Sequence, residues 1–301
     1  MSLSKEKLQP VIKNSGFSME GYYIWCGSAI KGEDGKYYLF ASRWPESKSF
    51  PEGYMSDSEI VLATTDDLDK PFKFEKVIIS KREDKYWDSI MAHNPMITKI
   101  GDEYVLFYIS TTDGSGEERC IGYATSKRLA DGWVRADKPI NLPKNANNPC
   151  CIEKNGEILM YFRDGALKVS VAKAEKYDGD YKVLKTDLFP KGMIEDMFVY
   201  KENGKFIMIA EDAEGAYTGI VKAGVKFESD DGIDWTLAEN PSVYDFNIEY
   251  QDGEKITLQR RERPMILFEK EYDYLFTTAK IGGEEKLTGG HTWNLVQKVK
   301  K

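Results

Sequence analysis

Histidine is nearly missing from this sequence: His93 and His291 are the two in 301 residues. A zinc centre or a Ser-His-Asp triad therefore has little to draw on. Cysteine is scarce too. Cys26, Cys120, Cys150 and Cys151 include one adjacent pair and no CxxC spacing, which reads as reduced thiols in a cytoplasmic protein rather than a disulfide framework. No apolar run approaches membrane-spanning length, and the opening "MSLSKEKLQP" lacks the apolar core of a signal peptide. Positive charge is in deficit, 42 Lys and Arg against 50 Asp and Glu for a net −8. That argues against nucleic acid and anionic membranes as partners. There is no GxxxxGK and no strand-placed GxGxxG to cradle a phosphate. Segments with helical periodicity are few, which points to an all-β chain.

What the sequence does contain is a repeat. "HNPMITKIGDEYVLFYIS" from His93 is an apolar strand, a turn at Gly101-Asp102, and a second strand rich in aromatic and β-branched residues, the signature of a hairpin. It recurs as "CGSAIKGEDGKYYLFAS" from Cys26, "NNPCCIEKNGEILMYFR" from Asn147, "EDMFVYKENGKFIMIAE" from Glu195 and "ERPMILFEKEYDYLFTTA" from Glu262. Without gaps, Gly27, Asn94, Asn148, Asp196 and Arg263 fall together, separated by 67, 54, 48 and 67 residues. A second hairpin follows each of the first four units, as in "SEIVLATTDDLDKPFKF", and the fifth is shorter, ending in "HTWNLVQKV". Five such units predict a five-bladed β-propeller of four-stranded antiparallel blades. It forms a single domain over 1–301, with blades near 23–80, 87–143, 146–190, 193–245 and 258–299. Four or seven blades do not fit the count, and a β-sandwich gives no reason for two-hairpin repeats.

In such a fold the first strand of each blade lines the channel, and the hairpin returns the second strand to the same face. Cys26-Gly27, His93-Asn94, Asn147-Asn148, Glu195-Asp196 and Glu262-Arg263 are thus expected to ring one channel mouth. Arg43-Trp44, Asp113, Arg163-Asp164 and Glu211-Asp212 should sit just outside. The loops bearing Trp87-Asp88 and residues 43–59 should open on that face. Aromatic faces and fixed charged groups are what a sugar site needs. The candidate binding residues are Trp25, Arg43, Trp87, His93, Asn94, Asn148, Arg163, Asp212, Glu262 and Arg263. Each has a plainer reading. Strand-end carboxylates are commonly solvated, the Asn-Pro pairs suit strand entry, and Trp87 suits blade packing.

On "CGSAIKGEDGKYYLFASRW", "YWDSIMAHNPMI", "IGYATSK", "IEDMFVY", "RERPMIL" and "TWNLV", the chain from Tyr23 to Val299 resembles the five-bladed propeller glycoside hydrolases, family-43-like and related to families 32, 68 and 117. The resemblance implies acid-assisted cleavage of a glycosidic bond by three acidic residues at strand starts. Glu195 matches the family's general acid. Gly27 and Asn148 stand where the base and the acid-tuning Asp are expected, so the other carboxylates must be recruited: Asp88 first as base, Asp196 beside the acid, then Glu262, Asp57 and Asp212. His93 is a further acid candidate. The resemblance also implies no required cofactor, a calcium ion in the channel with His291 near it, and a small oligosaccharide or terminal sugar as substrate. The alternative is a non-catalytic sugar-binding propeller with a degenerate site. The oligomeric state is left open.

Overall fold

The structure is a computed structural model that describes residues 3–111, 118–283 and 289–301. It is 55% strand and 4% helix. Four sheets have four strands each in simple meander order. Blade one comprises Tyr22–Lys31, Tyr37–Pro45, Glu59–Thr65 and Lys73–Ile79; blade two His93–Ile100, Glu103–Thr111, Arg119–Ser126 and Val134–Arg135. Blade three comprises Asn147–Lys154, Glu157–Arg163, Val169–Ala174 and Lys182–Lys185; blade four Ile194–Glu202, Lys205–Asp212, Ala223–Ser229 and Thr236–Tyr244. Blade five has Arg260–Phe268, Tyr272–Ile281 and His291–Lys300. The first strand of each blade packs against the first strands of its two neighbours, closing a five-membered ring.

The fourth position of blade five is taken by the N-terminal segment. Leu8 bridges Val299 and Phe17 bridges Asn294, both antiparallel to the last strand. Phe17 and Asn294 exchange backbone hydrogen bonds of 3.0 and 2.8 Å. Leu3, Val11 and Phe17 are buried. The two ends of the chain thus close one sheet and protect its edge. A short hairpin, Asn247–Glu249 with Lys255–Thr257, braces the segment through Val11.

Each first strand begins with the same irregularity. Two residues on the inner strand oppose one on its partner, between Trp25 and Ser28, His93 and Met96, Asn147 and Cys150, Glu195 and Phe198, and Glu262 and Met265. These are β-bulges, and each places one residue in the left-handed region: Cys26 (φ 51°), Asn94 (54°), Asn148 (52°), Asp196 (56°) and Arg263 (60°). Asn and Asp tolerate this conformation best. The next residue is Pro95, Pro149 or Pro264 in three blades, where a bulge needs no ladder N–H. The bulges correct one expectation. Cys26, not Gly27, is the blade-one counterpart of Asn94; Gly27 lies level with the prolines and against the Asn294 side chain, which a Cβ would meet at 2.7 Å.

Candidate active site at the channel mouth

The five left-handed residues meet around the channel axis in a hydrogen-bonded chain. The Cys26 thiol donates to Asn94 Oδ1 (3.0 Å), Asn94 Nδ2 to Asn148 Oδ1 (3.1 Å) and Asn148 Nδ2 to Asp196 Oδ1 (2.5 Å). Arg263 Nε lies 3.0 Å from Asp196 Oδ1. Beneath the ring a void of about 40 Å³ is lined by Pro95, Pro149, Met197 and Met265 among others. That is room for about one water; the ring side chains bond across the axis and close the channel here, so the mouth is a pocket, and the first strands line a further cavity of about 320 Å³ beyond it.

Four carboxylates gather at the blade-four and blade-five side of this ring, each with its own cation. Glu195 pairs with Arg163. Asp196 pairs with Arg263. Glu211 is 2.9 Å from Lys222, and Glu262 is 2.7 Å from Arg260. One oxygen each of Asp196, Glu211 and Glu262 lies within 4.8 Å of the others. Glu195 and Glu211 are directly opposed in the hairpin register, which sets their Cβ atoms about 5 Å apart on one face. Side-chain exposure separates the four: 25% for Glu195 against 4% for Asp196, 0% for Glu211 and 8% for Glu262. Glu195 is the member that faces solvent.

Burial dominates the protonation of the inner members. Asp196 is pushed up to about 6 by burial, with the Arg263 guanidinium opposing and Glu195 and Glu262 adding to the rise. Glu211 is pushed well above the usual carboxylate range by burial, then by Glu262 and Asp196. Its Oε2 is buried without a hydrogen-bond partner, as suits a carboxyl that keeps its proton. The same three residues offer the hard oxygen donors that calcium takes. However, Lys222, Arg260 and Arg263 already occupy that oxygen surface as cations, and a divalent ion would sit against like charge. The donor set does not fit an additional calcium.

The predicted residues divide. Asn94, Asn148, Asp196, Glu262, Arg263, Arg163 and Glu195 come together at the mouth. His93 lies beside them, buried, its Nδ1 2.8 Å from Ser58 Oγ and its Nε2 3.4 Å from the Cys26 thiol. Burial and the nearby Arg263 and Arg119 hold it well below its ordinary pKa, hence neutral. Trp25 is buried under the Arg260 guanidinium, 5.0 Å from the ring centre.

The others are elsewhere. Asp88 is fully buried and spent on Arg82 (2.5 Å), the Tyr108 hydroxyl (2.7 Å) and Arg135 (3.4 Å); its place in a structural ion network is a correction to its role as base. Trp87 packs tilted against Tyr108 and donates to Ala136 O (3.0 Å), so it packs rather than offers a face. Asp212 accepts from the Tyr217 and Thr218 backbone N–H groups (2.9 and 2.7 Å) and holds its own loop. Arg43 binds Glu59 and lies between Tyr22 and Phe74. Asp57 is tied to Lys48 at 2.5 Å. His291 is exposed and stacked on Trp293 at a cleft of about 440 Å³ between blade five and the N-terminal segment, outside the acidic cluster. Asp113 lies outside the described residues.

Some participants carried too little signal to be picked out. Lys222 and Arg260 precede or follow ordinary strands. Tyr54 sits on the helix Phe50–Asp57 of the blade-one loop, its ring 4.5 Å from His93. Glu211 is expected on the rim, and its register directly opposite Glu195 is the clue that joins the two.

Solved structures that share this five-bladed propeller fold include glycoside hydrolases. The sequence itself matches no protein-family profile and no curated protein. A family 117 glycoside hydrolase from the marine bacterium Zobellia galactanivorans superposes with TM-score 0.71 at 14% identity, covering 98% of this chain and 90% of that one. A family 43 β-xylosidase/α-arabinofuranosidase from a compost microbial metagenome, solved with xylotriose, gives 0.67 at 15%, covering 99% and 95%. The GH43_1 enzyme of Xanthomonas citri, also complexed with xylotriose, gives 0.66 at 14%, covering 95% and 89%. At these identities the likeness is one of fold.

Proposed function

We propose that this chain is a glycoside hydrolase that cleaves a terminal sugar or small oligosaccharide at the channel mouth. The observation that carries the reading is Glu195: the solvent-facing carboxyl of a four-carboxylate cluster in which burial raises Glu211 well above the ordinary carboxylate range. The plugged channel favours a short substrate over a threaded polymer. Glu195 is positioned to protonate the departing glycosidic oxygen as the C–O bond breaks, and Arg163 stabilises the carboxylate left behind. The second carboxyl that either stereochemical course requires is Glu211, Asp196 or Glu262. Glu211, one cross-strand step away, is first among them. Burial raises Glu211 well above the ordinary carboxylate range, which lets it hold a proton at the mouth.

A binding module with a degenerate site is the second reading. What favours it is the ring itself, where Cys26, Asn94 and Asn148 stand and no second exposed carboxylate faces Glu195 among the described residues. Turnover separates the two. A panel of aryl glycosides should contain a substrate for the wild type, and Glu195→Gln should lower its kcat by about 10²–10⁴-fold. Unchanged turnover in that variant refutes the assignment of Glu195. A wild type that binds sugars yet hydrolyses none of the panel supports the binding module.

A further inference from the structure

Among the described residues, one cation at the mouth is paired with no carboxylate. Arg119 begins the third strand of blade two, and its Nε is buried without any hydrogen-bond partner. It lines a cleft of about 380 Å³ together with Arg163, Asn145, Asn147, Asp164 and Leu167. The polar neighbours do not neutralise it. Asp164 is committed to its own turn, accepting from the Ala166 and Lys168 N–H groups (2.9 and 3.0 Å) and from Ser170 Oγ (3.0 Å). Glu118, the adjacent residue, pairs with Lys144. Asn145 spends its carbonyl oxygen on the Arg119 N–H (3.3 Å), and Asn147 spends its own on Asn94 Nδ2 and the Asn148 N–H (both 2.8 Å). Those bonds leave the two amide nitrogens as donors. A buried guanidinium nitrogen with no acceptor costs free energy unless something supplies one. The Arg119 side chain lines a cleft furnished with donors, and Arg163 joins that cleft to Glu195.

We infer that Arg119 and Arg163 form an anion subsite, and that the sugar bound at the mouth carries an acidic group, a carboxylate as in a uronic acid or a sulfate ester. The inference rests on the proposed sugar site and adds its substrate class. A guanidinium fork matches either anion in two-pronged geometry. The placement also has a chemical consequence. An anion that takes hydrogen bonds from Arg163 competes with Glu195 for that cation, whereas a neutral sugar leaves the ion pair intact.

The test is a ligand-observed NMR titration of galacturonic and glucuronic acids against galactose and glucose, with sodium sulfate as the free-anion control. The wild type should bind an acidic sugar at least about tenfold more tightly than its neutral parent, the range of a charge-assisted hydrogen bond. Arg119→Met should abolish that ratio while its urea midpoint shows a folded protein, and Arg119→Lys should keep part of it. Equal affinity for acidic and neutral sugars, or a ratio that survives Arg119→Met, overturns the inference. So does sulfate that binds as tightly as the uronates, since the sugar would then contribute nothing. The hydrolase reading fails separately. A wild type that hydrolyses neutral glycosides without an acidic preference sinks only the subsite, and an Arg119-dependent preference without turnover of any glycoside sinks only the hydrolase.

Discussion

Replacing Asp196 by Asn should stabilise the protein at neutral pH, although Asp196 is ion-paired. The Arg263 guanidinium stands 3.0 Å from its carboxylate and Asn148 donates to it at 2.5 Å. Nevertheless, burial outweighs both, and its pKa rises from 3.8 to about 6. A carboxyl whose folded-state pKa is raised binds more protons folded than unfolded. Its contribution to stability is therefore largest below about pH 4 and is lost as pH climbs through about 6, the reverse of the usual salt-bridged Asp. The size follows from the shift, about 3 kcal/mol for the rise from 3.8 to about 6. Urea denaturation of the wild type and the D196N variant from pH 4 to 7.5 measures it. The two should nearly coincide at pH 4, where both side chains are neutral and similar in shape. The variant should gain on the wild type through pH 5 and 6 and lead by about 3 kcal/mol at pH 7.5. Glu211 pulls in the same direction, and losing the Asp196 charge eases its own rise, which adds to the variant's lead. A D196N variant that is less stable than the wild type at pH 7.5, or two parallel curves, would show that Arg263 more than repays the burial and that the reasoning about this ring is wrong.

Two further outcomes are expected besides those for Glu195 and Arg119. Deleting residues 1–18 removes the fourth position of blade five together with buried Leu3, Val11 and Phe17. At roughly 1.5–3 kcal/mol each the loss is comparable with the whole stability of a typical domain. The truncated chain should aggregate or unfold at much lower urea; a midpoint near the wild type would contradict the closure. Cys26, Cys120 and Cys150 are each pushed up to about 12, chiefly by burial. Native protein at pH 8 should therefore resist iodoacetamide by mass spectrometry and take it up in urea. Ready alkylation of Cys26 in the folded state would refute the sealed ring.

Much of the fold could be read from the sequence because propeller blades advertise themselves twice, in strand alternation and in turn residues such as Gly101-Asp102. The spacing of Asn94-Pro95, Asn148-Pro149 and Arg263-Pro264 located four ring positions, Asp196 included, since Pro and Asn mark the bulge for physical reasons. Blade one lacks both residues, and there the gapless alignment slipped by one to Gly27. The closing segment was invisible for a different reason. Residues 8–17 pair with the last strand through two isolated bridges, too irregular to leave a strand pattern. Site partners were harder still. Asp88 and Glu195 look alike in sequence, both acidic and both near a strand start. What separates them is three-dimensional: Asp88 meets Arg82, Arg135 and Tyr108 inside the protein, whereas Glu195 meets one arginine at an open cleft.

The ring also explains why amides can stand in this fold at positions where the sequence resemblance expects carboxylates. A left-handed bulge residue points its side chain at the axis, and five such side chains must satisfy one another in a space with room below for about one water. Five carboxylates there would repel; Cys26, Asn94, Asn148, Asp196 and Arg263 instead form a donor-acceptor series ending in one ion pair. The residue just before each bulge is different. Trp25, His93, Asn147, Glu195 and Glu262 each stand in register with the returning strand, and Glu195 is the acidic member open to solvent. Chemistry and closure are thus divided between adjacent positions of one motif. Substitution at Asn94 or Asn148 should act first on stability, and substitution at Glu195 first on turnover.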